Sequence, residues 1–374
     1  MKKYTVAIIG TGRISFSLGF DKKREQPASH SFALKSNPRV NIVAACDTDE
    51  ERLNKWQSFF PRTVTFSSVD ALLSFGETQE GGCFDIIVVA VNEDAHLECS
   101  LKAIESKPHL IILEKPVALN VDEAEKIKAA SEKYSVPILV NHERRFADDY
   151  KIARCWMDKI GELQSVNARL FSSLRVYSAE DEKSGAYSLL HDGTHLVDVV
   201  MYLLDHNAGG NESFVDGAES GAESTDADDS AFSTLSNPRL ISIYRDKENA
   251  VRNLAVNFTH KFCPDVNIYI SGRSRFFGFE VEVIGTEGAI KIGNGFACVY
   301  RRAESKLYTG FYSLEPLKTV KFPKKTRYFS NMVQNAVDFL DGEEGICPKC
   351  PLHSTLENGI QALSVLEEMK KFCL

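Results

Sequence analysis

The stretch "TVAIIGTGRIS", Thr5 to Ser15, decides the fold of the amino-terminal part of the chain. Its apolar run is typical of a strand covered on both faces, and the glycines after it are typical of a turn into a helix. In a dinucleotide-binding turn the first glycine makes the tight bend and the second lets a pyrophosphate approach the backbone. Ser15 stands where the fingerprint has a third glycine. The predicted cofactor-binding residues of this turn are Gly10, Thr11, Gly12, Arg13 and Ile14.

Apolar runs and amphipathic segments alternate in the first part of the chain. The predicted strands are "TVAIIG", "NIVAACD", "FDIIVVAV", "HLIILE" and "VPILVNH", which indicate a doubly wound parallel sheet, a Rossmann fold. Beyond Arg145 the predicted strands are grouped and several alternate with period two, which favours a large, mostly antiparallel sheet with one open face. The predicted class is α/β, with a Rossmann domain at 1–145 and a second α/β domain at 146–374.

Composition restricts the partners. A length of 374 residues suggests about two domains, and 43% hydrophobic content supports a sizeable core. The net charge of -8 argues against nucleic acid, because no basic surface is available to neutralise phosphates. No run approaches the roughly 20 apolar residues of a membrane span. Nine scattered cysteines are typical of free thiols, so we expect a cytoplasmic protein with small-molecule partners and no membrane association.

Two segments are predicted to be insertions. The first, at about 19–31, lengthens the gap between Gly12 and the end of the second strand. It is either a surface loop or a basic flap near cofactor or substrate phosphates, carrying Lys22, Lys23, Arg24 and His30. The second, at about 207–230, is rich in Gly, Ser and acidic residues and is predicted to be mobile, since it has little apolar surface to bury.

Polar residues follow several predicted strands, where a ligand crevice forms in an open α/β sheet. Asp47 ends the second strand and is predicted to accept hydrogen bonds from the adenosine ribose, which favours NAD over NADP. Asn92 and His96 follow the strand "FDIIVVAV", where cofactor contact and a helix surface are both open for His96. Glu114 and Lys115 end the strand "HLIILE", and Lys115 is predicted to face the ligand crevice and take part in the reaction rather than face solvent.

These motifs occur in one order, together with "ERRF" at 143–146, "IGELQSV" at 160–166, "HDGTH" at 191–195 and "EVIGTEGAIKI" at 282–292. The ordered set closely resembles the glucose–fructose oxidoreductase/inositol dehydrogenase family of NAD(P)-dependent dehydrogenases, over nearly the whole chain except the two insertions. The resemblance implies hydride transfer between nicotinamide and a carbinol carbon of a sugar, cyclitol or sugar nucleotide. It also implies a homodimer or homotetramer formed through the open face of the second sheet.

By the same resemblance, the family's catalytic lysine and histidine map onto Lys115 and His195. An alcohol that loses a hydride must also lose a proton, and imidazole is suited to take it near neutral pH. His195 is therefore predicted to be the general base in oxidation, and Lys115 to stabilise charge on the same oxygen. The family frequently has an aspartate where this chain has His191, which we predict to contact substrate or a neighbouring group.

The residues around these positions leave alternatives open. Asp192 is predicted to cap the helix that follows, and it is also a candidate substrate contact. Arg145 is a candidate for holding an anionic substrate group, and one arginine of the pair with Arg144 is equally suited to bridge the domains. The spacing of His191 and His195 also suits zinc, but no third ligand stands nearby in the sequence, so no metal is predicted.

Two further interpretations remain open. The cysteines of "CPKC" at 347–350, with His353, are read as an exposed turn rather than a metal half-site, because no second cysteine pair is in reach. The alternatives to a dehydrogenase are a nicotinamide-binding regulatory or scaffold protein without turnover, and a cofactor-recycling hydrolase or eliminase that acts on a sugar derivative.

Overall fold

The first sheet has six parallel strands. The computed structural model describes residues 2–79, 81–172, 192–205 and 234–374. The strands, in chain order, are β1 Tyr4–Ile9, β2 Val40–Cys46, β3 Val64–Phe66, β4 Ile86–Val89, β5 Leu110–Leu113 and β6 Ile138–Val140. Their spatial order is β3-β2-β1-β4-β5-β6, so the chain reverses direction across the sheet between β1 and β4. In open α/β sheets a ligand binds at such a reversal, outside the carboxyl ends of the strands.

Helices cover both faces of this sheet. They are α1 His30–Ser36, α2 Glu50–Phe59, α3 Val69–Gly76, α4 His96–Glu105 and α5 Val121–Tyr134. Every residue of β4 and β5 is buried, as the continuous apolar runs predicted. Side chains cap several helices at their first turn; Asp49, for example, accepts a hydrogen bond from the Arg52 backbone N–H. These local signals explain why the helices begin where they do.

The first insertion precedes α1. After the glycine turn the chain makes one helical turn at Ser17–Phe20, and α1 begins only at His30. The extra residues therefore lie between this helical turn and α1. The backbone N–H of His30 donates to the Ile14 carbonyl, so the excursion returns to the glycine turn before the helix starts. Residues 17–29 form a loop whose end is fixed against the nucleotide-binding turn.

The second sheet has eight strands. They are β7 Leu163–Phe171, β8 Ser236–Arg245, β9 Val251–His260, β10 Cys263–Ser271, β11 Gly278–Gly285, β12 Gly288–Gly293, β13 Phe296–Glu304 and β14 Tyr312–Pro316. Their spatial order is β14-β13-β12-β11-β7-β10-β9-β8. Only the β7–β10 pair is parallel among these neighbours. The predicted fold class is confirmed. The sequence pattern missed β14 in this sheet and β3 in the first.

One face of the second sheet packs against helices. These are α6 Glu143–Phe146, α7 Asp148–Cys155 and α8 Thr194–Leu204, together with part of the C-terminal helix α10 Leu356–Lys371. Helix α8 is buried on nearly all sides, as expected for a helix between layers. The opposite face carries exposed ion pairs such as Arg169 with Glu280, which are 3.1 Å apart. The alternation of buried and accessible positions along β7 and β11 produces this two-faced sheet.

The last two helices also contact the first sheet. Helix α9, Tyr328–Glu343, shares a hydrophobic cluster with β1, β4 and β5 through Phe329, Met332 and Leu340. Residues of α10 enter the cluster on the other face of the sheet. No helix in the described parts of the chain has the length and apolarity that a membrane span requires. The predicted 207–230 insertion lies outside the described residues.

Candidate active site

The glycine turn leaves room for a ligand at the reversal between β1 and β4. Gly10 has φ +94°, and a Cβ there would lie 2.5 Å from the Ala90 carbonyl oxygen, so a larger residue is excluded. A Cβ at Gly12 would meet only the Arg52 guanidinium, at 3.9 Å. The space above Gly12 is what a pyrophosphate needs in order to approach the backbone, so the turn fits a dinucleotide.

Asp47 is bonded to the same turn. Its Oδ2 accepts from the backbone N–H of Thr11 at 2.7 Å and from the Thr11 hydroxyl at 2.9 Å. Its Oδ1 accepts from the Asp49 N–H at 2.9 Å. Oδ2 thus uses both of its lone pairs, whereas Oδ1 can accept one further hydrogen bond, so Asp47 both holds the turn and offers an acceptor to a ribose. Of the other predicted cofactor contacts, Arg13 and Asn92 are exposed and Ile14 is half-buried.

His96 is buried and fixes the loop after β5. Its Nδ1 lies 2.6 Å from the Pro116 carbonyl oxygen and its Nε2 lies 3.2 Å from that of Val91. Burial lowers the pKa of His96, against the opposing effect of the bond to Pro116 and the charge of Glu114. The interpretation of His96 as helix surface is therefore wrong. The ring joins the end of β4 to the segment that carries Lys115.

Glu114 is the centre of a buried network at the end of β5. Its Oε1 lies 2.6 Å from both His30 Nε2 and Asn141 Nδ2, and its Oε2 accepts from the Lys115 N–H at 3.3 Å. Burial by itself raises the pKa of Glu114, but the hydrogen bond and charge of His30, the bond from Asn141 and the charge of Lys115 lower it to about 2. Glu114 is an anion across the neutral range.

A second buried network joins the two domains. The Asp198 carboxylate on α8 contacts His142 Nδ1 and accepts from Arg145 Nε, the latter at 2.8 Å. Burial alone raises the pKa of Asp198, but the charges of Arg145 and His142 and their hydrogen bonds lower it below its ordinary value. Arg145 also lies over the Tyr202 ring, 5.3 Å from its centroid. Arg145 thus contacts two residues of α8, as expected if it bridges the two domains.

The two networks connect Lys115 to the start of α8. Asn141, which holds Glu114, directly precedes His142, which contacts Asp198. His195 is the second residue of α8 and stands three residues before Asp198, so the two share a helix face. His195 is half-buried. The chain of contacts therefore runs from Lys115 along the carboxyl ends of β5 and β6 to the helix turn that carries His195.

The helix cap differs from the prediction. Gly193 occupies the N-cap position of α8, so the N-cap position predicted for Asp192 is wrong by one residue. Asp192 Oδ2 accepts instead from the Ser172 hydroxyl at 3.1 Å, which ties the start of the helix to the end of β7. His191 lies outside the described residues.

Four residues of these networks were not assigned from the sequence. Asn141, His142 and Asp198 sit in apolar or helical contexts, where only tertiary contacts give them a role. His30 was noted in the insertion, but as part of a basic flap; it is fully buried, so for His30 that interpretation is wrong. The sequence "VNHE" could have indicated Asn141 and His142, because polar residues there directly follow a fully apolar strand.

One group of side chains in the described parts of the chain comes close enough together to hold a metal. It consists of Asp85, His109 and Glu344, and the ammonium of Lys2 already contacts Glu344 there. Cys347 of the C-terminal cysteine pair is exposed.

Comparison with known proteins identifies the first domain. Residues 4–142 match the GFO_IDH_MocA family, described as an oxidoreductase family with an NAD-binding Rossmann fold. The match confirms the resemblance over this part of the chain, which includes all six strands of the first sheet.

Individual proteins extend the comparison. Glucose-6-phosphate 3-dehydrogenase of Bacillus subtilis is 26% identical over 214 residues, which cover 55% of this chain and 54% of that protein. The chain thus spans about half the length of this curated relative. Two solved structures share the fold over 99% of this chain. They are a putative NADPH-dependent oxidoreductase from Desulfitobacterium hafniense (TM-score 0.73, 15% identity, 95% of that chain) and GenD2 from gentamicin A biosynthesis in complex with NAD (TM-score 0.69, 17% identity, 94% of that chain).

Proposed function

We propose that this protein is an NAD-dependent dehydrogenase that acts on a hydroxyl or keto carbon of a sugar, cyclitol or sugar nucleotide. The observation that carries the proposal is the contact chain from Lys115 through Glu114, Asn141 and His142 to the helix turn of His195. These contacts support a reaction that uses Lys115 and His195 at the carboxyl edge of the sheet, where ligands bind in open α/β folds. The similarity to the glucose-6-phosphate 3-dehydrogenase of Bacillus subtilis supports a sugar-like substrate.

The proposed chemistry needs one proton acceptor and one donor of a hydrogen bond. A nicotinamide cofactor held by the glycine turn and Asp47 would supply the acceptor for the hydride of the carbinol carbon. His195 takes the hydroxyl proton as the carbonyl forms, and it returns the proton in the reverse direction. Lys115 donates a hydrogen bond to the same oxygen and stabilises its developing negative charge. His191, Asp192 and Arg145 are kept as proposed substrate-side residues, with Arg145 acting through the domain junction.

NAD is the proposed cofactor because Asp47 stands where the adenosine ribose binds. Its carboxylate would repel the extra phosphate of NADP. The proposed contacts are the glycine-turn residues with Asp47, Asn92, Glu114 and Lys115. For His96 we propose an indirect contribution, since both ring nitrogens face backbone carbonyls.

The assembly and location are also proposals. The open face of the second sheet, which carries accessible polar and aromatic side chains, is the proposed surface for a homodimer or homotetramer. The odd number of scattered cysteines supports the reducing environment of the cytoplasm. The division into domains at 145/146 remains the proposed boundary.

The experiment is an NADH fluorescence titration of the wild type beside Gly12→Val, with NADPH in parallel. Valine at this position is expected to fill the space above the turn and to weaken NADH binding by at least about 100-fold. Gly12→Ala is the matched control, because the added methyl has no neighbour closer than 3.9 Å and the fold should be unchanged. Binding of neither nucleotide would contradict the proposal; tighter binding of NADPH would contradict the choice of NAD. Turnover is then sought by following NADH absorbance with sugars and sugar nucleotides.

A further inference from the structure

The first insertion delivers a histidine to the residue beside Lys115. His30 is the first residue of α1, directly after the 17–29 loop, and its side chain is fully buried. Its Nε2 lies 2.6 Å from Glu114 Oε1, although 84 residues separate the two in the chain. Since the ionised carboxylate only accepts hydrogen bonds, His30 Nε2 carries the proton of this contact. The insertion therefore ends in a specific donor rather than in a basic flap.

The bond to His30 bears on Lys115 through a short path. His30 and Asn141 hold the same carboxylate oxygen, and the other oxygen receives the Lys115 backbone N–H. The Glu114 side chain is thus fixed from two elements, α1 and the end of β6. On the far side, Pro116 is held by His96. Lys115 lies between two anchored residues, and His30 supplies one of the anchors.

The His30 ring does not have both of its nitrogens hydrogen-bonded to described residues, as a purely structural histidine would. Its Nδ1 is buried and has no hydrogen-bond partner among the residues that the structure describes, and the same holds for Asn141 Oδ1. A purely structural network is expected to satisfy its buried polar atoms. The edge of the ring packs on Phe329 of α9, with centroids 5.2 Å apart, which restrains its orientation.

We propose that His30 is a positioning residue that sets the placement of Lys115 through the Glu114 carboxylate. This proposal rests on the proposed dehydrogenase function for its kinetic consequence, but the placement of Lys115 is measurable without turnover. Without the His30 donor, Glu114 keeps a buried charge with one fewer hydrogen bond and is free to rotate. A displacement of about 1 Å at a catalytic group is enough to lower turnover about 100-fold.

The test compares four full-length variants. His30→Leu removes the donor, and His30→Asn keeps polarity but is too short to reach Glu114. His30→Gln restores a donor at nearly the reach of Nε2. Ser31→Ala is the matched control, because it removes a buried hydrogen bond from the Trp56 indole to the same helix without touching Glu114.

The first readout is the NMR signal of Lys115 after reductive methylation of the lysines with 13C-formaldehyde, assigned with Lys115→Arg. We expect His30→Leu and His30→Asn to shift the signal. We expect His30→Gln to restore its position, and Ser31→Ala to leave it unchanged. An unchanged Lys115 signal in His30→Leu and His30→Asn would overturn the proposal, as would an equal shift in Ser31→Ala. If His30→Leu does not fold, His30→Asn and His30→Gln decide the question.

The second readout is kinetic. His30→Leu is expected to lower kcat about 100-fold while KM for NAD stays within about threefold, because the ring acts on the reacting lysine rather than on cofactor binding. His30→Gln is expected to recover most of the loss. If the wild type turns over and His30→Leu has the same kcat, the positioning role of His30 is overturned and the proposed dehydrogenase function stands. Absence of wild-type turnover would count against the proposed dehydrogenase, and the Lys115 signal would still decide the role of His30.

Discussion

Buried carboxylates stand at both ends of the parallel sheet, and their surroundings differ. At the amino ends of the strands, Asp341 of α9 accepts from the Tyr4 hydroxyl at 2.6 Å and from both Arg39 guanidinium nitrogens at 2.9 and 2.6 Å. At the carboxyl ends, Glu114 is held by His30 and Asn141. Both carboxylates have a pKa below the ordinary value, so the ionised form is favoured at either end.

The two carboxylates differ in whether the polar atoms around them all have hydrogen-bond partners. Asp341 accepts its hydrogen bonds from the Tyr4 hydroxyl and the Arg39 guanidinium on neighbouring elements, as expected for a structural ion pair. Around Glu114, the buried atoms His30 Nδ1, Asn141 Oδ1 and His142 Nε2 have no hydrogen-bond partner within the described parts of the chain. Buried polar atoms without partners are rare in proteins and need an explanation. Buried polar atoms without partners in the described residues therefore lie beside Glu114, at the end of the sheet where the ligand site is proposed.

The largest effect is expected at the ligand end. Lys115→Met should lower kcat about 1,000-fold, because the oxygen of the reacting carbinol loses its hydrogen-bond donor, and His195→Ala should do the same by removing the proton acceptor. NADH affinity, measured by fluorescence, should stay near that of the wild type. Lys102→Met, which removes a lysine from ion pairs with Asp70 and Glu98 on the surface, is the control. Full activity of both Lys115→Met and His195→Ala would show that the chemistry lies elsewhere.

Acid should weaken the ligand end through Glu114. Its pKa falls from an ordinary 4.5 in the unfolded chain to about 2 in the fold, so its stabilisation is complete above about pH 5 and is lost as the pH falls toward 2. The loss amounts to about 3 kcal/mol of unfolding free energy. Glu114→Gln should flatten the pH dependence of urea unfolding between pH 5 and 2. The same slope in the variant and the wild type would contradict the assignment.

A smaller effect, confined to stability, is expected at the amino end. Asp341→Ala leaves the Tyr4 hydroxyl and the Arg39 guanidinium without their buried acceptor and should cost about 2 kcal/mol of unfolding free energy. Urea denaturation measures the loss. In the folded fraction, kcat and KM should match the wild type, since Asp341 lies at the opposite edge of the sheet. A drop in kcat that persists after correction for the folded fraction would remove the contrast between the two ends.

Much of the fold was predictable from local patterns. The apolar runs of β1, β4 and β5 and the period-two alternation of β7 and β11 report burial on two faces or on one, and this decides the type of sheet. Strand β14 was missed because its residues are mostly exposed and carry no such pattern. The wrong cap at Asp192 has the same origin, since the preference of aspartate for N-caps is local and the bond to Ser172 is not.

The sequence by itself determined the Rossmann sheet and the glycine turn, because strand burial, turn glycines and their order along the chain are encoded within short segments. Only the tertiary structure decided that His30 reaches Glu114 and that Asp198 meets His142 and Arg145. These contacts join residues far apart in the chain, and they depend on how an insertion and a buried helix pack against the ends of β5 and β6. Residue type gives the chemistry of such groups, but packing selects their partners.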